Sequence, residues 1–551
     1  MAKKRKRKTR EPRLKGRRPT RTQPARACKR TYATAATVPD QQEQVASVRR
    51  DMETTVKPTR RPPHRACKRT HGLNSEQPRT LDQLPDDVLL LVMQHLAVQD
   101  LLACRLVCRR LGELALQPEV WRRRSLIPSP YKNDRLTCPV SRLAPCLRHL
   151  TVLPPSRKGV CGHLHTTTCA VEGLEVRGSW DRTQRFVTFQ DGAFAARLIQ
   201  HQASLGRLRR VRVVLEIVDK PYMSEDNVCI LFRTLISTPG LEELDLFVST
   251  GSTGPLPLVL GTCSQVVSSS IRRFHAAVET DESFSQLVLR THAATLEEVH
   301  FVGSKEGDLL SLSTATLQLL VGLPCLREVA LDDQRGMEVL AQCATLRTLT
   351  ITMMGSGYPD AAAAAAAAEL LRRACQVREV NIRGYLYHFD CFRALASSER
   401  SNLEKLHIAC PIWSSREKEL LQVLLQALPQ LPALRDLHVG QLSRQACEEI
   451  LLAVSPATQP ALRLVSVHGS GCRLARKDAV RALLTAQPEL HVRVAMEWGP
   501  DKHRSPFQQM LPDKVAIPPV RAATLVLEGC SPSPKYHNPL DTVVHVEELV
   551  R

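Results

Sequence analysis

A pattern of apolar anchors, L-x-x-L-x-L, recurs along this chain and restricts its fold more than any other feature. The clearest copies start at Leu241, Leu326, Leu403 and Leu434. Further copies start at Leu147, Val171, Leu208, Ile271, Leu296, Leu346, Val377 and Leu462. From Leu208 to Leu462 the mean spacing between starts is about 28 residues. One such unit buries little apolar surface alone, so neighbouring units must stack into a solenoid.

Helical periodicity separates these short strands. It covers residues 225–236, 283–293, 416–427, 444–454 and 477–486, and the alanine run 361–368 reads as the outer helix of one repeat. The repeats resemble the leucine-rich-repeat family, which implies an α/β horseshoe with one strand and one helix per repeat. The alternative is a generic α/β domain with leucine-rich strands, because the spacing between repeats varies from 20 to 37 residues.

Ahead of the repeats, a short segment combines helical signals with turn signals. Residues 84–96 carry an apolar stripe that Pro85 opens, with Asp86 and Asp87 in its first turn. A second helix is predicted over 99–111, where Gly112 ends or loosens it, and a third short helix over 118–121. This order of elements resembles the F-box family from residue 81 to about 126.

The F-box resemblance implies docking to the Skp-type adaptor of an SCF ubiquitin ligase, and through it to a cullin-RING core. Leu111 departs from the tryptophan of many members and Asp87 from their common glutamate, but both keep the residue character. Carried over by position, the adaptor contacts would be Leu84, Pro85, Val88, Leu89, Leu96, Leu101, Val107, Cys108 and Trp121.

The first 80 residues carry 24 Lys and Arg against 6 Asp and Glu, which is +18 of the chain's formal charge of +21. Their few apolar residues cannot offset the entropy lost on ordering, so we predict a disordered basic tail. Its first basic run, of the kind that import receptors bind, consists of Lys3, Lys4, Arg5, Lys6, Arg7 and Lys8. We therefore predict nuclear localisation, with the cytoplasm left open. The alternative is a solubilising tail that binds polyanions.

Neither catalysis nor a cofactor is expected. The chain lacks a P-loop, a HExxH helix, a GxSxG elbow and the paired CxxC spacing of a RING finger. The cluster Cys161, His163, His165 and Cys169 has spacing irregular for zinc, and a loop between early repeats explains it equally well, so no metal is expected. The 18 scattered cysteines and the lack of an apolar run of membrane length favour a reducing compartment and no membrane contact.

Residues between the strand anchors should share one sheet face, because side chains alternate along a strand. The candidate substrate-binding residues on that face are Glu243, Asp245, Glu298, His300, Glu328, Glu379, Lys405, His407, Asp436 and His438. Although Arg273 interrupts it, this partly acidic column suits a basic protein substrate. The alternative is a solvated face without a specific ligand.

These patterns divide the chain into a basic tail at 1–80, a three-helix F-box at 81–126, a linker at 127–146, a solenoid at 147–498 and a cap or tail at 499–551. The interpretation is a non-catalytic substrate receptor of a cullin-RING ubiquitin ligase. Two alternatives stay open: a ubiquitin-independent nuclear scaffold, and a basic nucleic-acid-associated protein. Tyr32 is the only Phe, Tyr or Trp ring of the tail, so we expect only nonspecific nucleic-acid contact.

Overall fold

The computed structural model describes most of the chain after residue 82. The described residues are 83–127, 137–152, 164–177, 192–216, 225–249, 268–277, 282–303, 311–353, 360–384, 389–397, 402–409, 416–455, 457–470, 490–497, 523–526 and 542–545. The predicted basic tail with its import sequence, the helix predicted over 477–486 and two of the four possible zinc ligands, Cys161 and His163, lie outside these residues.

Four short helices open the described part, where three were predicted. They are α1 (Asp86–His95), α2 (Val98–Cys104), α3 (Arg109–Leu114) and α4 (Pro118–Trp121). The single helix predicted over 99–111 is wrong, because Cys108 has an extended backbone (φ −155°, ψ 165°) and its sulfur accepts a hydrogen bond from the backbone N–H of Leu111. Cys108 therefore caps a new helix, and Gly112 lies inside that helix.

One sheet of strands follows the helices, and its strand order is the chain order. The strands are β1 (Ser125–Leu126), β2 (Cys146–Val152), β3 (Ala170–Arg177), β4 (Arg210–Glu216), β5 (Glu243–Ser249), β6 (Arg273–Ala277), β7 (Glu298–Val302), β8 (Glu328–Asp332), β9 (Thr348–Met353), β10 (Glu379–Gly384), β11 (Lys405–Ala409), β12 (Asp436–Leu442), β13 (Leu464–Ser470), β14 (His491–Glu497), β15 (Ala523–Val526) and β16 (Thr542–His545). Neighbours from β1 to β14 are parallel, and β14 pairs with β15 antiparallel. A parallel sheet in chain order is a solenoid and excludes the generic α/β domain.

Most strands are followed by a helix, as the repeat pattern predicts. The helices are α5 (Thr137–Leu143), α6 (Gly192–Ser204), α7 (Glu225–Ser237), α8 (Glu282–Thr291), α9 (Thr314–Val321), α10 (Ala361–Arg373), α11 (Asp390–Leu395), α12 (Glu417–Ala427) and α13 (Arg444–Ala453). The helices predicted at 225–236, 283–293, 416–427, 444–454 and over the alanine run are confirmed to within a few residues at each end. None of the described helices is long and apolar enough to cross a membrane.

The repeat anchors form the core. All twelve repeat starts, from Leu147 to Leu462, are at most 2% exposed. Within one repeat the next two anchors are buried as well, as Leu244 and Leu246 show in β5. Complete burial of such a side chain stabilises the fold by about 1.5–3 kcal/mol. The array therefore holds together through apolar contacts that every repeat renews.

The described end of the predicted linker at 127–146 contains α5 and the first residue of β2. Strand β1 precedes it and pairs in parallel with β2, so the sheet begins directly after α4. Arg124 joins the parts: its guanidinium donates to the carbonyls of Met93, Leu96 and Val120 at 2.6–2.8 Å, and its own carbonyl accepts from Arg148. The helical segment and the first repeats therefore form one continuous body.

A buried carboxylate links the first strands of this body. The Glu175 side chain accepts hydrogen bonds from Thr151 at 3.0 Å and Arg177 at 2.7 Å, and lies 3.5 Å from both His149 and Arg212. Burial alone would raise the pKa of Glu175, but the hydrogen bonds of His149 and Arg177 and the charges of Arg177 and Arg212 outweigh it and lower the pKa to about 2. The carboxylate therefore stays ionised and connects β2, β3 and β4.

Replacing Gly384 should destabilise the array more than replacing Gly206. Both glycines have a positive φ, +88° and +76°, which costs other residues roughly 1–2 kcal/mol. A Cβ at Gly384 would also overlap the carbonyl group of Met353, whereas nothing lies within 4 Å of one at Gly206. We expect G206A to lower the free energy of unfolding by about 1 kcal/mol and G384A by roughly 3 kcal/mol, measured by urea denaturation. Equal losses would contradict the clash with Met353.

Replacing Glu175 should cost stability in a pH-dependent way. Because its folded pKa of about 2 lies below the ordinary 4.5, its contribution is complete above pH 4.5 and is lost as the pH falls toward 2. We expect E175Q to lower the free energy of unfolding by roughly 2–4 kcal/mol at neutral pH, with the difference shrinking below pH 4.5. E369Q, at an exposed ion pair with Arg372, is the control and should change stability by less than about 0.5 kcal/mol. A pH-independent difference for E175Q would count against the ionised network.

Candidate functional site

The four-helix segment presents apolar side chains to solvent. Leu91 and Val92 of α1 are 58% and 46% exposed, and in the turn between α2 and α3 Leu106 is 84% and Val107 70% exposed. Val88 lies one helical turn from both Leu91 and Val92, on the same face of α1. Large apolar groups gathered on a small domain mark a surface for another protein.

The nine predicted adaptor contacts divide by burial. Pro85, Val88, Val107 and Cys108 are exposed, and Leu84 and Leu96 are half-buried. Leu89, Leu101 and Trp121 are buried within the helical segment, where the Trp121 indole N–H donates to the carbonyl of Ala115 at 2.6 Å. These three side chains form the core on which the exposed residues rest. The exposed Leu91, Val92 and Leu106 were not among the predicted contacts.

An ion pair fixes the exposed turn. Arg110, near the start of α3, donates to the Asp86 carboxylate at 2.6 Å and to the carbonyl of Leu84 at 2.7 Å. This ties the helix that follows Leu106 and Val107 to the first turn of α1. Without this link the exposed apolar residues of the turn between α2 and α3 would no longer be held beside those of α1. Arg110 is therefore a positioning residue, and the sequence pattern did not identify it.

The second candidate surface is the open sheet face, defined as the side of β2 to β14 lined by the residues between buried anchors. Strand register aligns these residues in rows. The first row runs Glu243, Arg273, Glu298, Glu328, Thr348, Glu379, Lys405, Asp436. The second row runs Asp245, His275, His300, Ala330, Thr350, Asn381, His407, His438. All ten predicted substrate-binding residues lie in these two rows.

Neighbouring charges on the open sheet face compensate one another in part. Glu243 pairs with Arg273 at 2.7 Å and Glu379 with Lys405 at 3.5 Å. In β5 to β12 the two rows nevertheless hold six carboxylates against two Lys or Arg side chains. The part of the face from β5 to β12 is therefore acidic, whereas β4 adds Arg210 and Arg212 to the same rows. Burial is the largest of the causes that raise the pKa of the Asp436 carboxyl.

The centre of the open sheet face is a cluster of two imidazoles and three carboxylates. His275 lies 2.9 Å from Asp245 and 3.0 Å from Glu298, and His300 lies 3.3 Å from Glu298 and 3.1 Å from Glu328. The two imidazole rings stack in parallel, with centroids 4.2 Å apart. His275 was missed from the sequence, although aligning Arg273 and His275 with Glu243 and Asp245 would have found it.

Protonation in this cluster follows from its charges. Burial alone would lower the pKa of His275, but hydrogen bonds and charges of Asp245 and Glu298 raise it. The hydrogen bond with His300 lowers the pKa of Glu328 despite its burial. Carboxylates and imidazoles thus alternate in this cluster, and each favours the charged form of its neighbour.

Two further groups stand apart from this cluster. Burial raises the pKa of Asp332, at the end of β8, to about 7, with Asp333 adding to the shift. At the possible zinc cluster, His165 is exposed, and burial raises the pKa of the Cys169 thiol to about 12.

Comparison with known proteins bears on the two parts separately. Residues 81–127 match the family model described as F-box-like. No curated protein matches the chain. Solved structures that match part of the chain include a TLR13 complex with ssRNA13, at 12% identity and a TM-score of 0.31 over 64% of this chain, and the leucine-rich-repeat protein LIC12759 of Leptospira interrogans, at 10% identity and a TM-score of 0.21 over 63%.

This chain spans 47% of the TLR13 chain and 89% of the Leptospira protein. The repeat architecture itself rests on this chain's own parallel sheet and on its buried anchors at regular positions. Residues 81–127 are therefore similar to F-box-like domains, and a solenoid of strand-and-helix repeats follows them in the described part of the chain.

Proposed function

We propose that this protein is the substrate-recognition subunit of an SCF, or cullin-RING, E3 ubiquitin ligase. In this proposal the F-box-like domain binds the Skp-type adaptor, which connects it to the cullin-RING core, and the open sheet face binds the substrate. The protein itself performs no chemistry. It contributes proximity, since holding a substrate beside the ligase core replaces a bimolecular encounter by an intramolecular one.

The observation that carries the proposal is the exposed apolar surface of the F-box-like domain. Leu91, Val92, Leu106 and Val107 are each about half exposed or more, at a domain whose family implies a protein partner. Leaving such groups in water is costly unless a partner covers them, and an apolar centre is typical of a stable protein interface. The adaptor is the partner that this family resemblance implies.

The charge of the open sheet face supports a basic substrate. Six carboxylates against two Lys or Arg side chains favour association with Lys- and Arg-rich surfaces through complementary charge. The connection through Arg124 supports separate adaptor-binding and substrate-binding surfaces. A receptor without a hinge between these surfaces holds its substrate in a fixed place relative to the ligase. We propose nuclear localisation through Lys3 to Lys8.

Substituting Val107 by glutamate should abolish adaptor binding without unfolding the protein. The side chain is 70% exposed, so the fold loses little, whereas a charge buried in an apolar interface costs several kcal/mol. We expect V107E to weaken binding of purified Skp-type adaptor at least about tenfold in calorimetry and to lose cullin in co-purification. The thermal unfolding midpoint should stay unchanged.

Leu452 provides the matched control. It is 55% exposed on α13, so L452E places the same charge on an apolar surface of the repeat array. Adaptor affinity should be unchanged in L452E. If V107E binds as well as wild type, or if both variants lose binding equally, the proposed adaptor surface is wrong. A scaffold that acts without ubiquitin would bind no cullin in any variant.

Reversing charge on the open sheet face should weaken binding of basic ligands. The double variant Glu379→Lys, Asp436→Lys turns two carboxylates of the first row into cations beside Lys405. We expect a fluorescent Arg- and Lys-rich peptide to bind wild type in low salt and to bind the double variant at least about tenfold more weakly. E419K, on the exposed side of α12, is the control. Unchanged affinity in the double variant would exclude this face as the basic-ligand surface.

A further inference from the structure

The central cluster of the open sheet face combines ligand types that neither adaptor docking nor charge complementarity requires. His275, Glu298 and His300 bring one ligand atom each to within 4.8 Å of one another. We propose that these three residues, with Glu328 as fourth ligand, bind a transition-metal dication of the zinc class. The site goes beyond the proposed ligase function and does not depend on it.

The backbone already brings His275, Glu298 and His300 together, whereas the Glu328 carboxylate contacts His300 and must rotate toward the other two ligands. Glu298 and His300 are two positions apart on β7 and so share a face, while His275 and Glu328 are their neighbours on β6 and β8. The contacts between neighbouring ligand atoms are 3.0 Å for His275 and Glu298, 3.3 Å for Glu298 and His300, and 3.1 Å for His300 and Glu328. Ligand atoms of a tetrahedral zinc site with bonds of about 2.0–2.1 Å lie about 3.3 Å apart.

Binding requires side-chain rotation only. The two imidazole rings are parallel to within 4°, so a shared ion lies out of the plane of both rings until each turns about its Cβ–Cγ bond. Strands β6 and β7 need not move, because the Nε2 atoms of His275 and His300 already face the same carboxylate oxygen, Oε1 of Glu298. Metal binding should therefore break the imidazole stack while leaving the sheet intact.

Asp245 supports His275 as a ligand. Its Oδ1 lies 2.9 Å from Nδ1 of His275. Nε2 of His275 is hydrogen-bonded to Glu298 in the metal-free structure, so metal binding must displace the Nε2 proton. The Asp245 carboxylate would then hold Nδ1 of the bound imidazole, which is the usual outer support of zinc-bound histidine. The cluster thus includes a positioning group as well as ligands.

The charge of the cluster also favours a dication. Glu298 and Glu328 lie directly opposite each other in the strand register, and His275 and His300 compensate this contact between like charges. A dication would take over that compensation. Arg273, the nearest arginine of the same row, pairs with Glu243 instead. The side chains of His275, Glu298 and His300 are 21–23% exposed and that of Glu328 is 35% exposed, so an ion can enter from solvent. Two imidazole nitrogens and two carboxylate oxygens suit zinc better than calcium or magnesium, which prefer six or more oxygens.

The test uses the full chain stripped of metal, with Zn²⁺ and Co²⁺ as probes. Because the chain has 18 cysteines, a binding stoichiometry alone is insufficient. We expect calorimetry to give one tight equivalent of Zn²⁺, and Co²⁺ to give visible d–d absorption without thiolate-to-metal charge transfer. Absence of binding, or a spectrum dominated by thiolate charge transfer, would overturn the site.

Matched variants locate the ion. E298Q and H275N should each weaken Zn²⁺ binding more than about 100-fold, and D245N, which removes only the supporting carboxylate, by roughly 10–100-fold. H438N changes a histidine of the same row on β12 and should leave Zn²⁺ affinity unchanged. If E298Q binds like wild type, or H438N binds as weakly as H275N, the proposal fails.

Thermal unfolding distinguishes a variant that has lost a ligand from one that no longer folds. Thermal unfolding of each metal-free variant shows whether it folds, and added Zn²⁺ should raise the unfolding midpoint of wild type and H438N but not of E298Q. Adaptor affinity should be the same in all of these variants, so failure of the metal site and failure of the ligase proposal give different results.

Discussion

Backbone hydrogen bonds between successive strands, repeated at one position of every repeat, are the constraint on which the rest of this structure depends. The N–H of Glu242 donates to the carbonyl of Arg209, that of Arg272 to Glu242, and that of Glu297 to Arg272, at 2.7–2.8 Å. The series continues to His491. Because side chains alternate along a strand, this fixed register sends every anchor to the core and every intervening residue to the open sheet face, and a slip by one residue would reverse both.

The same register begins within the F-box-like domain. Strand β1 follows α4 directly, and Arg124 contacts the end of α1 with its side chain and β2 with its backbone. A domain of about forty residues buries too little surface to be stable alone, and the first repeats complete its core. The exposed apolar surface of the F-box-like domain and the open sheet face are consequently parts of one body.

Strand register also explains the chemistry of the open sheet face. Residues distant in sequence, such as Asp245, His275 and His300, become neighbours because each occupies an equivalent position in its own repeat. Opposite charges meet where a repeat carries Arg or Lys, as at Glu243 and Arg273. Where two repeats both carry glutamate, histidines from the adjacent row supply the hydrogen bonds.

The sequence by itself determined the repeat period, the buried anchors, most outer helices, the F-box-like segment and the face on which the ten candidate residues lie. These features follow from the spacing of apolar residues within each segment and from the recurrence of that spacing along the chain. The tertiary structure decided the break between α2 and α3, the pairing of β1 with β2, the exposure of Leu91 and Leu106, and the convergence of His275 with Glu298 and His300. These features depend on contacts between repeats. Because the spacing between repeats varies from 20 to 37 residues, the sequence alone does not show which side chains become neighbours.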